Sequence, residues 1–466
     1  MINQSTRPER TSNQDANPDN CGCRSFGSRR RSIIFHLLVG ACLFVGNWAT
    51  AAAFGDTNWV SLTPGSPGAN DGVRVIVEDG SGNLYAGGTF TSIGGVAANR
   101  IAKWDGSSWS ALSSGVNNTV YALAVSGTNL YVGGHFTTAG GAAADCIAKW
   151  NGSSWSTLGA GVNNTVHALV MSGTNLYVGG HFTLASGVTA ERIAKWDGST
   201  WSALGTGMND TVRALVMSGT NLYAGGLFST AGGATASHVA KWNGSAWSAL
   251  GSGVNGNVYA LAVSGTTLHV GGHFTMAGGA PANCIADWNG STWSPLDSGV
   301  IGQVYALALS GPNLYVGGSF RSAGGASAER IAKWDGNTWS PLGSGMNAIV
   351  YALAISGTDL YAGGSFTTAG TATSPAIVRG ILPPRLVRLK NLQIQGNGRF
   401  VFTFRYDDDG GIGAGQESKF EVHHSPDLSN WTTNRNSLTL SNGSITWEDT
   451  GSANQPARFY RVIEKP

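Results

Sequence analysis

A five-residue signature, Leu-Tyr-x-Gly-Gly or a near copy, returns every 46 residues along this chain. Its aromatic position falls at Tyr85, Tyr131, Tyr177, Tyr223, His269, Tyr315 and Tyr361. Ile-Ala-Lys-Trp, or a near copy, keeps the same step at Trp104, Trp150, Trp196, Trp242, Trp288 and Trp334. Trp-Ser-x-Leu follows it at Trp109, Trp155, Trp201, Trp247, Trp293 and Trp339, and Trp59-Val60-Ser61-Leu62 is a further copy displaced by four extra residues. A fixed period of this length means that one supersecondary unit is stacked on copies of itself, because a single unit cannot bury its apolar face alone.

One unit reads as four short strands. Strand A is 120–126, with Tyr121, Leu123 and Val125 on one face and small Ala122 and Ala124 on the other. Strand B is 129–136, strand C 146–150 and strand D 154–158. Alternation and aromatic enrichment favour strands over helices. Asn151-Gly152, or Asp105-Gly106 elsewhere, forms the C–D hairpin, since both central positions of such a turn need positive φ. Ser126-Gly127-Thr128 makes the A–B turn. Four antiparallel strands per unit of roughly 40–50 residues is the β-propeller pattern.

The strand order predicts closure. The first repeated element is a lone D strand at 59–62, six complete sets follow, and the chain ends its repeats with A at 350–356, B at 359–366 and a degenerate C at 376–381. The expectation is a seven-bladed ring whose last blade borrows its D strand from the N-terminal side. A linear array would leave exposed edges. The 69 glycines and 16 tryptophans fit many tight turns between packed blades, since the glycines sit at fixed offsets from the tryptophans. The Trp pair fills space between blades, and the Gly pair of strand B leaves room for a neighbouring aromatic or permits a bulge.

The run from Arg192 to Gly207, R-I-A-K-W-D-G-S-T-W-S-A-L-G-T-G, resembles repeats of kelch-like and galactose-oxidase-central-domain-like propellers. It is most similar to Trp-Asp-Gly-rich repeats of bacterial surface proteins and of the fungal cortical polarity-marker family. The resemblance covers 59–381. It implies a fold and leaves function open, because propellers host enzymes, lectins and scaffolds alike.

The flanks differ in character. Arg29-Arg30-Arg31, the apolar run Ile33 to Val45 and the small residues Ala49-Thr50-Ala51-Ala52-Ala53 have the order of a secretory signal, with cleavage after Ala51 or Ala53. An uncleaved anchor is the second reading, because 33–54 is long enough to span a bilayer. Val39-Gly40-Ala41-Cys42 resembles a lipobox, and Arg30-Arg31 a twin-arginine signal. After Pro383-Pro384 the period disappears, and strands at 386–395, 399–406, 419–424, 437–440, 444–448 and 458–463 suggest a small β-sandwich. Its stretch Ser425-Pro426-Asp427-Leu428-Ser429-Asn430-Trp431 and the closing Arg458-Phe459-Tyr460-Arg461-Val462 resemble the terminal sandwich domain of large exported proteins of Verrucomicrobia-like bacteria. The domains expected are therefore a leader and signal at 1–53, a seven-bladed propeller at 54–384 and a β-sandwich at 385–466.

Charge narrows the partners. Only 12% of residues are charged and the net charge is +2. With no basic face after residue 31, nucleic acid is excluded as an expected partner. Cys146 and Cys284 share one repeat position three units apart, too far for a disulfide, and read as small buried hydrophobes.

Most repeated polar residues have a packing or rim role. His135, His181 and His273 follow the Gly pair in separate units and read as rim histidines rather than converging metal ligands. Arg100, Cys146, Arg192, His238, Cys284 and Arg330 precede the C strand, often after an acid, and suggest rim ion pairs. Lys103, Lys149, Lys195, Lys241 and Lys333 pack their stems on an aromatic. Asp407-Asp408-Asp409-Gly410 lacks calcium-loop spacing and reads as a solvated loop.

One position breaks the repetition. In strand A it carries Arg74, Tyr121, His167, Arg213, Tyr259, Tyr305 and Tyr351. These seven are the candidate ligand-binding residues if they line the channel or its mouth. Packing between blades is the alternative, since bulky residues alternate there with alanine. No catalytic residue, metal site or cofactor is expected, because no nucleophile motif, carboxylate pair, phosphate loop or zinc spacing occurs. The long D–A and B–C segments share one face of the ring, which is the expected binding surface. The function expected is that of a secreted or cell-surface, monomeric binding or scaffold protein with a protein or glycan partner. A multivalent lectin and a glycan-active enzyme are the alternatives.

Overall fold

The computed structural model describes residues 32–35, 53–62, 65, 67–383, 387–394, 400–406, 420–425, 430, 432–434, 438–442, 444–449 and 459–464. Residues 67–383 are built almost entirely of short antiparallel strands and tight turns. They form an all-β propeller. In the second blade strand A is Val120–Ser126, B is Asn129–Gly134, C is Ile147–Trp150 and D is Trp155–Thr157. These four pair in a single meander, D-C-B-A from rim to axis. Seven four-stranded sheets of this kind are present, with A strands at Val73–Glu78, Val120–Ser126, Val166–Ser172, Val212–Ser218, Asn257–Ser264, Val304–Ser310 and Val350–Ser356.

The last sheet takes its outer strand from the start of the chain. Trp59–Val60 pairs antiparallel with Ile377–Ile381, Trp59 opposite Gly380 and Val60 opposite Arg379. Three side chains hold this strand. Trp59 Nε1 donates to Leu342 O at 3.2 Å, Asn58 Nδ2 donates to Ile381 O at 2.8 Å, and Asp56 Oδ1 accepts the Ser344 N–H. Trp59 is 3% exposed, so its burial contributes about 2–3 kcal/mol to holding the strand in place.

The same tryptophan contact is repeated around the rim. Trp155, Trp201, Trp247, Trp293 and Trp339 each donate Nε1 to the carbonyl of the leucine 43 residues earlier, which follows the D strand of the preceding blade, at 2.8–3.0 Å. Each of these rings also lies against the C-strand Trp of its own blade, with centroids 5.3–5.4 Å apart. The D-strand tryptophan is thus a clasp, apolar on its faces and satisfied at its one polar atom.

The Gly pair serves two different contacts. A methyl group added at Gly133 would come within 2.4 Å of Val166 Cγ1 in the next blade, and one at Gly134 within 2.1 Å of Thr119 O. The first glycine therefore admits a neighbouring valine, not an aromatic ring. The second admits the backbone of strand A. The valine contact repeats from Gly87 to Val120 and onward to Gly363 against Val73, which carries the packing around the full ring.

The B–C segments contain a feature that strand periodicity alone does not reveal. Each folds into a two-residue hairpin, such as Thr138–Ala139 with Ala142–Ala143. In six of the seven blades an asparagine latches this hairpin to the D–A segment. Asn117 Oδ1 accepts the N–H groups of Thr137 and Thr138, while its Nδ2 donates to Thr137 Oγ1. The exception is Ile301, 72% exposed, where Val300–Ile301 instead pairs with Ser322–Ala323 as a short strand.

Beyond the propeller, two four-stranded sheets are described. One comprises Val387–Ile394, Phe400–Tyr406, Ser444–Asp449 and Thr439–Ser441. The other comprises Phe420–Ser425, Thr432–Asn434, Phe459–Glu464 and Ser32–Phe35. Phe402, Phe404, Tyr406, Ile445 and Trp447 of the first meet Phe420, Val422 and Val462 of the second in one core. The strand Ser32–Phe35 runs antiparallel to Phe459–Glu464, with Ser32 opposite Ile463 and Phe35 opposite Tyr460. Thr432–Asn434 was not expected as a strand. The rest of the expected leader, including the 36–52 part of the apolar run, and the acidic loop at Asp407 lie outside the described residues.

Candidate functional site at the axis

Each candidate ligand-binding residue occupies the same unusual backbone position. In the first blade Val73 pairs with Gly88 and Val75 with Gly87, which leaves Arg74 without an opposite residue. The same shift leaves out Tyr121, His167, Arg213, Tyr259, Tyr305 and Tyr351. All seven are therefore the extra residue of a β-bulge. A bulge bends its strand and re-aims the extra side chain, which no longer has to obey the in-and-out alternation of the sheet. The missing side chain at the second glycine of strand B is what lets the bulge close, since Gly134 lies against Thr119 O.

The bulges bring these side chains together across blades. Arg74 places its guanidinium 4.0 Å from the Tyr351 ring centroid. Tyr351 and Tyr305 have centroids 5.7 Å apart, and Tyr305 and Tyr259 5.3 Å apart. On the other arc Tyr121 and His167 rings lie 5.1 Å apart, and Arg213 Nη1 donates to His167 Nδ1 at 3.3 Å. The contacts run from innermost strand to innermost strand, so one arc is tyrosine-rich and the other carries imidazole and guanidinium. All seven residues are only partly buried. These contacts are packing between the innermost strands of adjacent blades.

The polar atoms are set by their neighbours. Burial, then the Arg213 guanidinium, then His181 and His135, push the His167 imidazole down to about 3, so it is neutral at ordinary pH. Arginine has no acceptor, so a neutral His167 takes the Arg213 bond on an unprotonated Nδ1 and keeps its proton on Nε2. Burial raises the Tyr305 hydroxyl, and the phenols of Tyr259 and Tyr351 add to the shift. That hydroxyl donates to Gln303 Oε1, and Asn257 Nδ2 donates to the Tyr259 hydroxyl at 3.2 Å.

The rim histidines stand beside this arc. His135 Nδ1 meets Thr165 Oγ1 at 2.8 Å and His181 Nδ1 meets Thr211 Oγ1 at 2.7 Å. Each bridges to the residue two before His167 or Arg213 on the following blade. His135, His181 and His273 are exposed. Among the described residues no group of three or more His, Cys, Asp or Glu side chains is placed to hold a metal ion.

Other candidate positions resolve into structural roles. Arg100, Cys146, Arg192, His238, Cys284 and Arg330 all have φ between 60° and 66°. Each closes the turn into strand C, as when Cys146 N–H donates to Phe136 O and Cys146 O accepts from Gly134 N–H. Left-handed backbone at non-glycine residues costs roughly 1–2 kcal/mol each. Arg192 pairs with Glu191 at 3.1 Å, and Arg330 pairs with Glu329. Cys146 and Cys284 are free and buried. The Lys103 ammonium lies 5.7 Å from the ring centroid of the cross-strand Tyr85, so tyrosine is its aromatic partner. In the fifth blade that Tyr–Lys pair becomes His269 and Asp287, bonded at 2.6 Å.

A family model agrees on the architecture. A model of the Rax2 C-terminal beta propeller domain matches residues 96–257. No curated protein matches the sequence. Among solved structures, the WD40 beta propeller domain of Doa1 is 14% identical over 67% of this chain and 93% of its own, with a TM-score of 0.45. An enzyme from Niastella koreensis, GH74, is 16% identical over 85% of this chain and 73% of its own, with a TM-score of 0.42. The computationally designed Ika8 protein is 16% identical over 68% of this chain and 98% of its own, with a TM-score of 0.42. Residues 96–257 are thus similar to a known propeller family, and the whole ring is an all-β propeller.

Proposed function

We propose that this protein is an exported, non-enzymatic binding propeller that takes one ligand at the long-loop end of its axis. The observation that carries this reading is the ring of seven bulged side chains. One backbone position, repeated seven times, carries Arg, Tyr, His, Arg, Tyr, Tyr and Tyr as the extra residue of a bulge in the innermost strand. Packing could be served by one residue type in every blade. A chemically varied ring supplies aromatic faces on one side and a guanidinium beside a neutral imidazole on the other, as a site for one asymmetric ligand requires.

The multivalent lectin reading is weaker on a specific point. Repeated glycan sites would draw on repeated exposed aromatics, but the D-strand tryptophans spend their indole N–H on the preceding blade. Export rests on the arginine-led apolar run and small residues before Phe54, and the cell-surface setting on the kelch-like and terminal-sandwich resemblances. A monomer with a protein or glycan partner at the cell surface belongs to the same reading.

The test is stoichiometry. The full chain is screened on an immobilised glycan array, and a bound glycan is titrated by calorimetry. One site per chain, lost in a Tyr305→Ala, Tyr351→Ala double variant that still melts cooperatively, supports the reading. Six or seven sites unaffected by that variant favour the lectin instead.

A further inference from the structure

We propose that the ligand of this axial site is an acidic saccharide, its carboxylate held by Arg213 and its sugar-ring faces laid on the tyrosine arc. The inference rests on the binding reading above and adds the chemical class. Arg213 and Arg74 each keep a buried Nε with no hydrogen-bond partner. Neither guanidinium forms a salt bridge among the described residues. The aspartates nearest in sequence do not neutralise them. Asp71 Oδ1 accepts the Gly72 N–H at 2.6 Å, and Asp210 Oδ1 accepts the Thr211 N–H at 2.6 Å and its hydroxyl at 3.1 Å. A buried, unpaired donor on a cation is costly unless a partner arrives, and a planar carboxylate is the partner a guanidinium fork fits best.

The rest of the site matches a saccharide rather than an acidic peptide. The tyrosines supply ring faces, while Asn257, Gln303 and the rim histidines supply hydrogen-bonding groups for hydroxyls. His167 is already committed to Arg213 through Nδ1 and orients it. The large exposed apolar side chains that would favour a peptide, Leu184, Val188, Met276 and Ile301, are spread over two B–C hairpins and one D–A segment.

The experiment titrates the full chain with three probes of similar size: a trigalacturonate, the neutral galactotriose and a triaspartate peptide. Trigalacturonate should bind one per chain and more tightly than galactotriose by about tenfold or more. Arg213→Gln should weaken it by about 10–100-fold, the usual worth of a charged hydrogen bond, without a matching loss of galactotriose binding. Equal affinity for acidic and neutral trisaccharides, both lost in Tyr305→Ala, would overturn the acidic class and leave the axial site standing. Binding that survives both Arg213→Gln and Tyr305→Ala would overturn the site as well. Preference for triaspartate, or no binding by a chain that melts cooperatively, would overturn the saccharide assignment.

Discussion

The rim and the axis of this propeller use the same repeat in opposite ways. At the rim, Trp155, Trp201, Trp247, Trp293 and Trp339 make one contact five times over, and Trp59 makes it again from the far end of the sequence. At the axis, one bulge is repeated seven times with three different residue types in place of one. The backbone is constant in both places. The difference teaches that the fold fixes side chains where blades must interlock, and leaves them open where the bulge has removed the demand of strand alternation. Sequence identity between blades thus marks load on the fold. Departure from it at the bulged position marks the candidate site, whereas the varied residues before strand C share one backbone role.

The largest break in this comparison should come at the rim. Trp59→Ala removes both an inter-blade contact and the anchor of the one strand among the seven sheets that is not contiguous in sequence with its own sheet. It should cost about 3–5 kcal/mol, read as a lower urea midpoint, and a shift of under about 1 kcal/mol would show that the closing strand is dispensable. A smaller effect tests the blade interface beneath the bulges. Gly133→Ala should cost about 1–3 kcal/mol by overpacking against Val166, and the cost should shrink in a Val166→Ala background. An unchanged penalty in that background would move the strain elsewhere.

The smallest expected effect lies at the axis and depends on pH. His167 titrates near 6.5 when unfolded and is pushed down to about 3 in the folded chain. Below pH 6.5 the unfolded chain binds a proton that the folded chain refuses, so stability falls as pH drops from 6.5 toward 3 and is unaffected by this group above that window. The loss should be on the order of 1 kcal/mol by about pH 5.5. His167→Gln should flatten that part of the stability profile, and an equally steep profile would mean another group carries it.

Much of the fold is written in the 46-residue step, because Trp, Tyr and Gly-turn positions recur wherever blades touch. The strands are slightly shorter than the pattern of apolar residues, as at 146–150, where the strand begins at Ile147 and Cys146 is the left-handed residue before it. No sequence signal marks that conformation, since Arg, Cys and His occupy it and not the usual Gly or Asn. The identity of the candidate site residues was legible as variation at one repeated position. Their contacts were not. Whether Arg74 reaches Tyr351, 277 residues away, depends on ring closure and on the bulge, and the only local trace of the bulge is the second glycine of each pair.

A paired substitution series tests the central claim most directly. The seven bulged residues and the six clasping tryptophans are each changed to alanine, and every variant is measured for urea stability and for binding of the array-selected glycan. Bulge variants should lose about 1–2 kcal/mol or less yet lose binding, while clasp variants lose about 3–5 kcal/mol and bind normally whenever folded. Bulge variants that are as destabilised as clasp variants and still bind would contradict the division between rim and axis.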